Sequence, residues 1–273
     1  MEIKGQDADY LVGGRDPIAG SILTSTSRFL NNPRFRDVYA QMGLKRDGPD
    51  LPGAFLIPEI NRAIAEETDF EQLFAQLAVE KARLPEFAAW LEARFVSDWS
   101  AVDLSHCPEK SLGAAIRGFM ADSGMEIDFM FREEPANDFE YLVKRRVQNH
   151  DIEHIVTGLD TSPVGEIALI VANAVACFNY FDTEFAGQLS FQTMFLASTS
   201  LMRFNCHYPT VVPAMLEGFA LGHAVGMKQK QPLFMIRWED WIDASITEIR
   251  THFGFEDGPP PGHWDWVHVA AQG

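Results

Sequence analysis

Apolar residues recur at intervals of three and four positions over most of the chain after residue 70. This spacing places them on one face of a helix, because an α-helix turns once in about 3.6 residues. Alternating runs rich in β-branched residues, which would indicate strands, are nearly absent. The pattern therefore predicts an all-α fold, a helical bundle of about eight helices. The predicted helical stretches are 70–80, 84–97, 108–122, 137–157, 163–182, 186–205, 209–227 and 239–252.

The charge balance argues against two classes of partner. The chain has 22 Lys and Arg residues against 39 Asp and Glu residues, which gives a formal net charge of −17. Nucleic-acid binding depends largely on basic side chains that neutralise phosphates, so we expect no nucleic-acid partner. Docking to anionic lipid through basic patches is disfavoured for the same reason. Any membrane contact is therefore expected to be apolar and local.

The cysteines and the N-terminus indicate a reducing compartment. Cys107, Cys177 and Cys206 are widely separated and form no C-x-x-C pair. This pattern predicts neither a disulfide framework nor a thiolate metal site. The N-terminus has no apolar signal core and no arginine-rich transit character. We therefore expect a cytoplasmic protein without a signal or transit peptide.

A stretch that is poor in charge raises the question of a membrane span. From Phe185 to Leu216 the only charged residue is Arg203. A helix that spans a membrane needs about 20 mostly apolar residues. Polar residues interrupt this stretch, and Glu166 interrupts the apolar stretch that precedes it in the sequence. Both stretches are therefore interpreted as buried helices of a soluble bundle.

Capping signals predict a helical hairpin in the middle of the chain. Asn137 stands at the start of a capping-box pattern, although Ser or Thr is more usual there. Gly158 is suited to the left-handed conformation that ends a helix. Ser162 and Pro163 supply an N-cap and a proline at the first helical position. Because the loop between the two helices is short, they are predicted to be antiparallel neighbours.

The predicted hairpin places two histidines and a glutamate at the same height along its two helices. His150 and His154 are four residues apart, so both imidazoles lie on one face of the first helix. Glu166 lies in the second helix about 6 Å from the loop, at the same height as His154. Two imidazoles and a carboxylate are suitable ligands for zinc, iron or another first-row divalent ion. Asp151 is either a fourth ligand or a residue that orients a histidine.

Other interpretations of these residues are open from the sequence alone. Histidines at this spacing also occur where the side chains simply pack, and a glutamate such as Glu166 in a first helical turn complements the helix dipole. The run from His150 to His154 is similar to the HExxH of zinc peptidases, with Asp in the Glu position. Asp103 and His106 repeat the D-x-x-H spacing of Asp151 and His154, which is also found in two-iron carboxylate bundles. Pro108, however, predicts a loop at this place.

The residues of the hairpin resemble those of a known family. The segment from His150 to His154 reads His-Asp-x-x-His, and Glu166 follows after eleven further residues. This pattern resembles the HDxxHx11E signature of the coenzyme Q biosynthesis protein 4 family. The segment 108–113 is similar to the helix start P-x-G-[ST]-L-G of that family, and 238–250 resembles its closing helix. The resemblance covers roughly residues 108–253.

This resemblance implies a divalent metal, expected to be zinc, with His150, Asp151, His154 and Glu166 as its ligands. It also implies an apolar channel for a prenylated aromatic or isoprenoid ligand, a peripheral membrane location and other quinone-biosynthesis proteins as partners. The implied activity is that of a metal-dependent decarboxylase of a polyprenyl-hydroxybenzoate, acting at C1 with or without hydroxylation and with Asp151 as the catalytic residue. The alternative is a non-catalytic prenyl-lipid carrier or scaffold for the enzymes of the pathway.

Two residues are predicted to bind the substrate. Arg145 carries a charge that can hold an anionic head group. Gly222 belongs to a row of small residues at four-residue spacing, which lets a ligand or another helix approach closely. Close helix packing in the core or in a homodimer is the competing explanation for this row.

We expect one compact domain with three parts. Residues 1–105 form a helical N-terminal part that matches the family poorly, and residues 106–253 form the family-like metal-binding core. Residues 254–273 form a tail rich in proline and aromatic residues, and 263–268 within it is interpreted as a strand-like or docking segment.

Overall fold

The computed structural model describes residues 27–44, 56–96, 99, 102–123 and 133–270. In this part of the chain the all-α prediction is confirmed, with twelve α-helices and no strand. Ser111 and Ser245 form one isolated antiparallel bridge. The helices are α1 (Arg28–Asn31), α2 (Pro33–Leu44), α3 (Ile57–Glu67), α4 (Phe70–Arg83), α5 (Pro85–Ala93), α6 (Leu112–Ser123), α7 (Asp138–Thr157), α8 (Pro163–Tyr180), α9 (Thr183–His207), α10 (Val212–Lys228), α11 (Ile246–Phe253) and α12 (Asp265–Ala270).

Helix α8 is the centre of the bundle and contacts α7, α9 and α10. Its closest neighbour is α10, whose row of glycines faces the α8 backbone. A β-carbon at Gly222 would lie 2.1 Å from the carbonyl oxygen of Ala168, and one at Gly226 would lie 2.6 Å from that of Ala172. Close helix packing is therefore the role of this row.

Three groups of buried apolar side chains hold the helices together. The largest group surrounds α8 and includes Trp238. A second group, which includes Phe87 and Phe181, joins α4 and α5 to α7, α8 and α9. A third group, which includes Phe35 and Phe195, joins α2 and α3 to α9. The described N-terminal helices thus pack against the core through α9, while residues 1–26 lie outside the described part.

The helix predicted over 239–252 is divided. A short 3₁₀ turn spans Trp238–Trp241, and α11 begins only after Ser245. The Ser245 hydroxyl accepts a hydrogen bond from the amide of Glu248, whose carboxylate accepts one from the amide of Ser245. This capping box starts a new helix, so the prediction of one continuous helix is wrong.

The C-terminal tail forms turns and then α12 over Asp265–Ala270, so the prediction of a strand-like segment over 263–268 is wrong. Trp264 is fully buried, and its indole N–H donates to the Glu217 carboxylate at 3.3 Å. Nε2 of His263 lies 2.9 Å from the same carboxylate. These contacts fix the tail on α10, and α12 follows directly.

Two segments, Pro163–Tyr180 and Pro209–Lys228, are long and apolar enough to cross a membrane by length and mean hydropathy. In the bundle 56% of the first segment and 39% of the second are buried. The central helix of a globular domain meets the same criteria, so length and hydropathy are weak evidence for a span. The position of α8 between α7, α9 and α10 agrees with the predicted buried helix.

Candidate metal centre

Helices α7 and α8 are capped as the sequence predicts. The side-chain oxygen of Asn137 accepts a hydrogen bond from the amide of Glu140 at 2.9 Å and opens α7. Gly158 ends α7 with a φ angle of 78°, in the left-handed region that favours glycine. Ser162 opens α8 by accepting a hydrogen bond from the amide of Gly165 at 3.1 Å. The predicted hairpin is therefore confirmed.

The hairpin brings His150, His154 and Glu166 together. The two imidazole rings have centroids 4.7 Å apart, as expected for positions one turn apart on a helix. Nε2 of His150 lies 3.4 Å from one oxygen of Glu166, and Nε2 of His154 lies 3.3 Å from the other. One ligand atom from each of the three side chains lies within 4.8 Å of the others. The glutamate thus faces both histidines from the second helix.

The chemistry of His154 provides a test of whether these residues fit a metal ion. Its Nδ1 lies 2.6 Å from the carbonyl oxygen of Leu159, which can only accept a hydrogen bond, so Nδ1 carries the proton. Nε2 is buried and makes no hydrogen bond of acceptable geometry, although it faces Glu166. A buried Nε2 without a hydrogen bond, on a ring whose Nδ1 is hydrogen-bonded to a backbone carbonyl, is the usual arrangement of a histidine that ligates a metal. The three residues therefore fit a divalent metal.

Asp151 lies beside this group of three and not within it. One of its carboxylate oxygens is 3.3 Å from Nδ1 of His150, on the ring nitrogen that does not face Glu166. This arrangement favours the second of the two roles predicted for Asp151, a residue that orients His150.

The carboxylates and the histidines shift each other's pKa values. Burial alone would lower the pKa of His150, but hydrogen bonds to Asp151 and Glu166 raise it to about 10. Burial opposes ionisation of Glu166, yet the neighbouring imidazoles of His150 and His154 hold its pKa well below its usual range. Both shifts favour an imidazolium at His150 beside a carboxylate at Glu166, so a metal ion would compete with the proton on His150.

A buried carboxylate next to the three residues was not predicted as functional. Glu153 is 2% exposed, and one of its oxygens accepts a hydrogen bond from the side-chain amide of Asn173 at 2.7 Å. Burial raises the pKa of Glu153. Its position three residues after His150 places it on the same helix face, and this spacing was the signal available in the sequence.

Both predicted substrate-binding residues, Arg145 and Gly222, make structural contacts in the bundle, and a role in substrate binding stays a prediction. Arg145 is fully buried, and its guanidinium donates to the Glu239 carboxylate and to the carbonyl of Ile236, each at 3.1 Å. Arg145 thus binds protein groups of a distant segment. Gly222 faces the carbonyl of Ala168, so the space beside it is filled by the α8 backbone.

Fold and site together define an all-α protein in which a helical hairpin directs two histidines and a glutamate at one point. Residues 93–259 match the family model described as coenzyme Q (ubiquinone) biosynthesis protein Coq4. The match covers more than half of the chain, and the chain belongs to this family. The resemblance found in the sequence is therefore confirmed, and the matched region is longer than 108–253 at both ends.

Curated relatives and a solved structure agree with this assignment. The mitochondrial ubiquinone biosynthesis protein COQ4 of Scheffersomyces stipitis is 25% identical over 223 residues, 76% of this chain and 63% of that protein. The protein of the same name from Arthroderma otae is 27% identical over 160 residues, 57% of this chain and 54% of that protein. The chain thus spans between half and two thirds of the length of these relatives.

A crystal structure of a protein assigned to ubiquinone biosynthesis in Nostoc punctiforme PCC 73102 is also similar. It has a TM-score of 0.59 and 22% sequence identity, with 83% of this chain and 99% of that chain covered. This similarity shows a shared fold.

Proposed function

We propose that this protein binds a divalent metal ion through His150, His154 and Glu166 and acts in ubiquinone biosynthesis on a prenylated aromatic precursor. The observation that carries the proposal is Nε2 of His154, which is buried, has no hydrogen bond and faces Glu166 at 3.3 Å. Buried polar atoms are nearly always satisfied, and a metal ion would satisfy this one.

Zinc is the ion that we propose for this site. Two imidazoles and one carboxylate leave a coordination position open, which is typical of catalytic zinc. When bound, the ion would supply Lewis-acid polarisation of a substrate oxygen. The protein contributes the orientation of the ligands, because Asp151 contacts Nδ1 of His150 and the Leu159 carbonyl contacts Nδ1 of His154.

The reaction that we propose is loss of the carboxylate at C1 of a polyprenyl-hydroxybenzoate, which makes the protein a decarboxylase. When carbon dioxide leaves an aromatic ring, the electron pair of the broken bond stays on C1 and takes up a proton. Asp151 is partly exposed beside His150, so it can exchange a proton with both solvent and substrate. We propose Asp151 as the residue that carries this proton to C1.

A non-catalytic prenyl-lipid carrier or scaffold is the second candidate, and exposed apolar side chains favour it. Phe178 on α8 and Leu216 and Met227 on α10 are 44%, 56% and 54% exposed. Apolar surface of this kind is suited to a prenyl chain, to the membrane surface or to a second copy of the chain. A peripheral membrane location, a homodimer and contacts with other quinone-biosynthesis proteins remain proposals on this basis. A cytoplasmic location is likewise a prediction, whereas the names of the curated relatives place those proteins in mitochondria.

Metal analysis of purified variants tests the metal site. His154→Ala and Glu166→Gln are each expected to lose one equivalent of zinc per chain relative to the wild type. His223→Ala changes an exposed histidine outside the site and is the matched control, which keeps the wild-type metal content. Equal zinc content in all four proteins, with helical circular dichroism retained, would contradict the site.

Incubation of the zinc-loaded protein with a prenylated 4-hydroxybenzoate separates the two candidate functions. Release of carbon dioxide that is lost in Asp151→Asn, with zinc retained, would support the decarboxylase. Binding without release would support the carrier. If neither binding nor release occurs at saturating zinc, the proposed substrate class is wrong.

A further inference from the structure

A second group of metal-ligand side chains lies outside the hairpin. His106, Cys107 and Asp243 each offer one ligand atom, and these atoms lie within 4.8 Å of one another. His106 and Asp243 are exposed, with Nε2 and Oδ1 3.7 Å apart, whereas Cys107 is buried. The histidine and the cysteine belong to the loop before α6, and the aspartate belongs to the turn before α11. Two segments that are distant in sequence thus supply three different ligand types.

Backbone hydrogen bonds hold these two segments together. The amide of Gly113 donates to the carbonyl of Ile242 at 2.8 Å, and the amide of Leu112 donates to the carbonyl of Ala244 at 2.9 Å. The acceptors are the residues on either side of Asp243. The backbone therefore fixes the position of Asp243 relative to the loop before α6 without an ion, as a specific metal site requires.

The space for the thiol of Cys107 depends on Gly113. A β-carbon at Gly113 would lie 2.3 Å from the Cys107 sulfur, so only glycine leaves room for the side chain in this orientation. Burial raises the pKa of the Cys107 thiol, and the charge of Asp243 and a hydrogen bond to it raise the pKa further. The sulfur of Cys107 and a carboxylate oxygen of Asp243 lie close enough for one cation to bind both groups.

We propose that His106, Cys107 and Asp243 bind a zinc ion. A thiolate, an imidazole and a carboxylate form a ligand set that suits zinc and does not suit magnesium or calcium. On binding, the Cys107 S–H bond breaks, its proton passes to solvent and a sulfur–zinc bond forms without any change of oxidation state. Because His106 and Asp243 are exposed, water would complete the coordination of the ion. The ion would connect the loop before α6 to the turn before α11.

Cobalt(II) is the probe that tests this site, because a cobalt–thiolate bond gives a charge-transfer absorption in the near ultraviolet. The hairpin site contains no sulfur, so this band reports only the second site. We expect the metal-free wild type to develop the band on cobalt titration, and Cys107→Ser to lose it. Cys177→Ser and Cys206→Ser change the other two cysteines and are the matched controls, which keep the band.

The other two ligands are tested by affinity. Asp243→Asn and His106→Gln are each expected to weaken cobalt binding at least about tenfold, since even residues that only orient a ligand contribute this much. Asp240→Asn changes an exposed neighbouring carboxylate and is expected to leave the affinity unchanged. The proposal is overturned if the wild type shows no band at saturating cobalt, or if Cys107→Ser keeps it. It is also overturned if a control cysteine variant loses the band, or if Asp243→Asn binds cobalt as tightly as Asp240→Asn.

Discussion

Replacement of Gly222 by alanine is expected to destabilise the bundle, because α10 and α8 are in direct backbone contact at this position. The new β-carbon would lie 2.1 Å from the carbonyl oxygen of Ala168 and 2.9 Å from its carbonyl carbon. The first distance is roughly 1.3 Å shorter than an ordinary van der Waals contact. Since both atoms belong to the backbone of α8, no side chain can rotate away, and the two helices must separate.

Two opposing effects determine the size of the change. Overpacking of a core costs about 1–3 kcal/mol, and backbone contact places Gly222→Ala at the upper end of this range. Alanine in place of glycine within a helix contributes about 1 kcal/mol in the opposite direction. The free energy of unfolding is therefore expected to decrease by about 2 kcal/mol, and Tm by roughly 4–8 °C for a chain of this size.

Gly187→Ala and Gly118→Ala are matched controls for the stability that alanine adds to a helix in place of glycine. A β-carbon at either position would meet nothing within 4 Å. Each lies inside a helix, so we expect each variant to be more stable than the wild type by up to about 1 kcal/mol. Urea titrations followed by circular dichroism provide the free energies of unfolding. If Gly222→Ala proves as stable as Gly187→Ala, the close approach of α8 and α10 is wrong.

Three further outcomes are expected. The pKa of His150 is raised to about 10, so zinc must displace its proton at neutral pH. Zinc affinity should therefore rise about tenfold per pH unit between about pH 7 and about pH 10 and level off above that; an affinity independent of pH in chelator competition would refute this. Ser245→Ala removes the N-cap of α11 and should cost about 1 kcal/mol in urea titrations, whereas no loss would mean that the cap is dispensable. Arg145→Ala leaves Glu239 without the buried guanidinium and should cost at least about 3 kcal/mol. Arg62→Ala, which breaks an exposed ion pair, should cost less than about 1 kcal/mol, and equal losses in these two variants would contradict the buried pair.

The hairpin was predictable because its signals are local. The N-caps Asn137 and Ser162 and the C-terminal Gly158 each act on backbone groups within a few residues, and all three cap their helices in the structure. The four-residue spacing of His150 and His154 likewise needs only helix geometry. Errors arose where a local signal was incomplete: the cap at Ser245 divides a stretch that periodicity alone joins.

The contacts at the candidate sites could be predicted only in part from the sequence. The approach of Glu166 to the two histidines could be predicted, because a short loop sets the heights of both helices. The burial of Arg145 could not be predicted from the sequence, because its hydrogen-bond acceptors, Glu239 and Ile236, lie on a distant segment. The same holds for Cys107, whose neighbour Asp243 is brought close by backbone bonds between two loops.

By itself, the sequence determined the helical class, the family and the caps that begin α7 and α8 and end α7. Each of these depends on interactions between near neighbours in the chain, whose geometry is set by the helix and its caps. Only the tertiary structure decided that the α10 glycines face α8, that Arg145 is a buried structural residue and that Asp243 meets Cys107. These depend on which distant surfaces pack together, because burial and side-chain contacts are properties of the assembled core and not of any one segment.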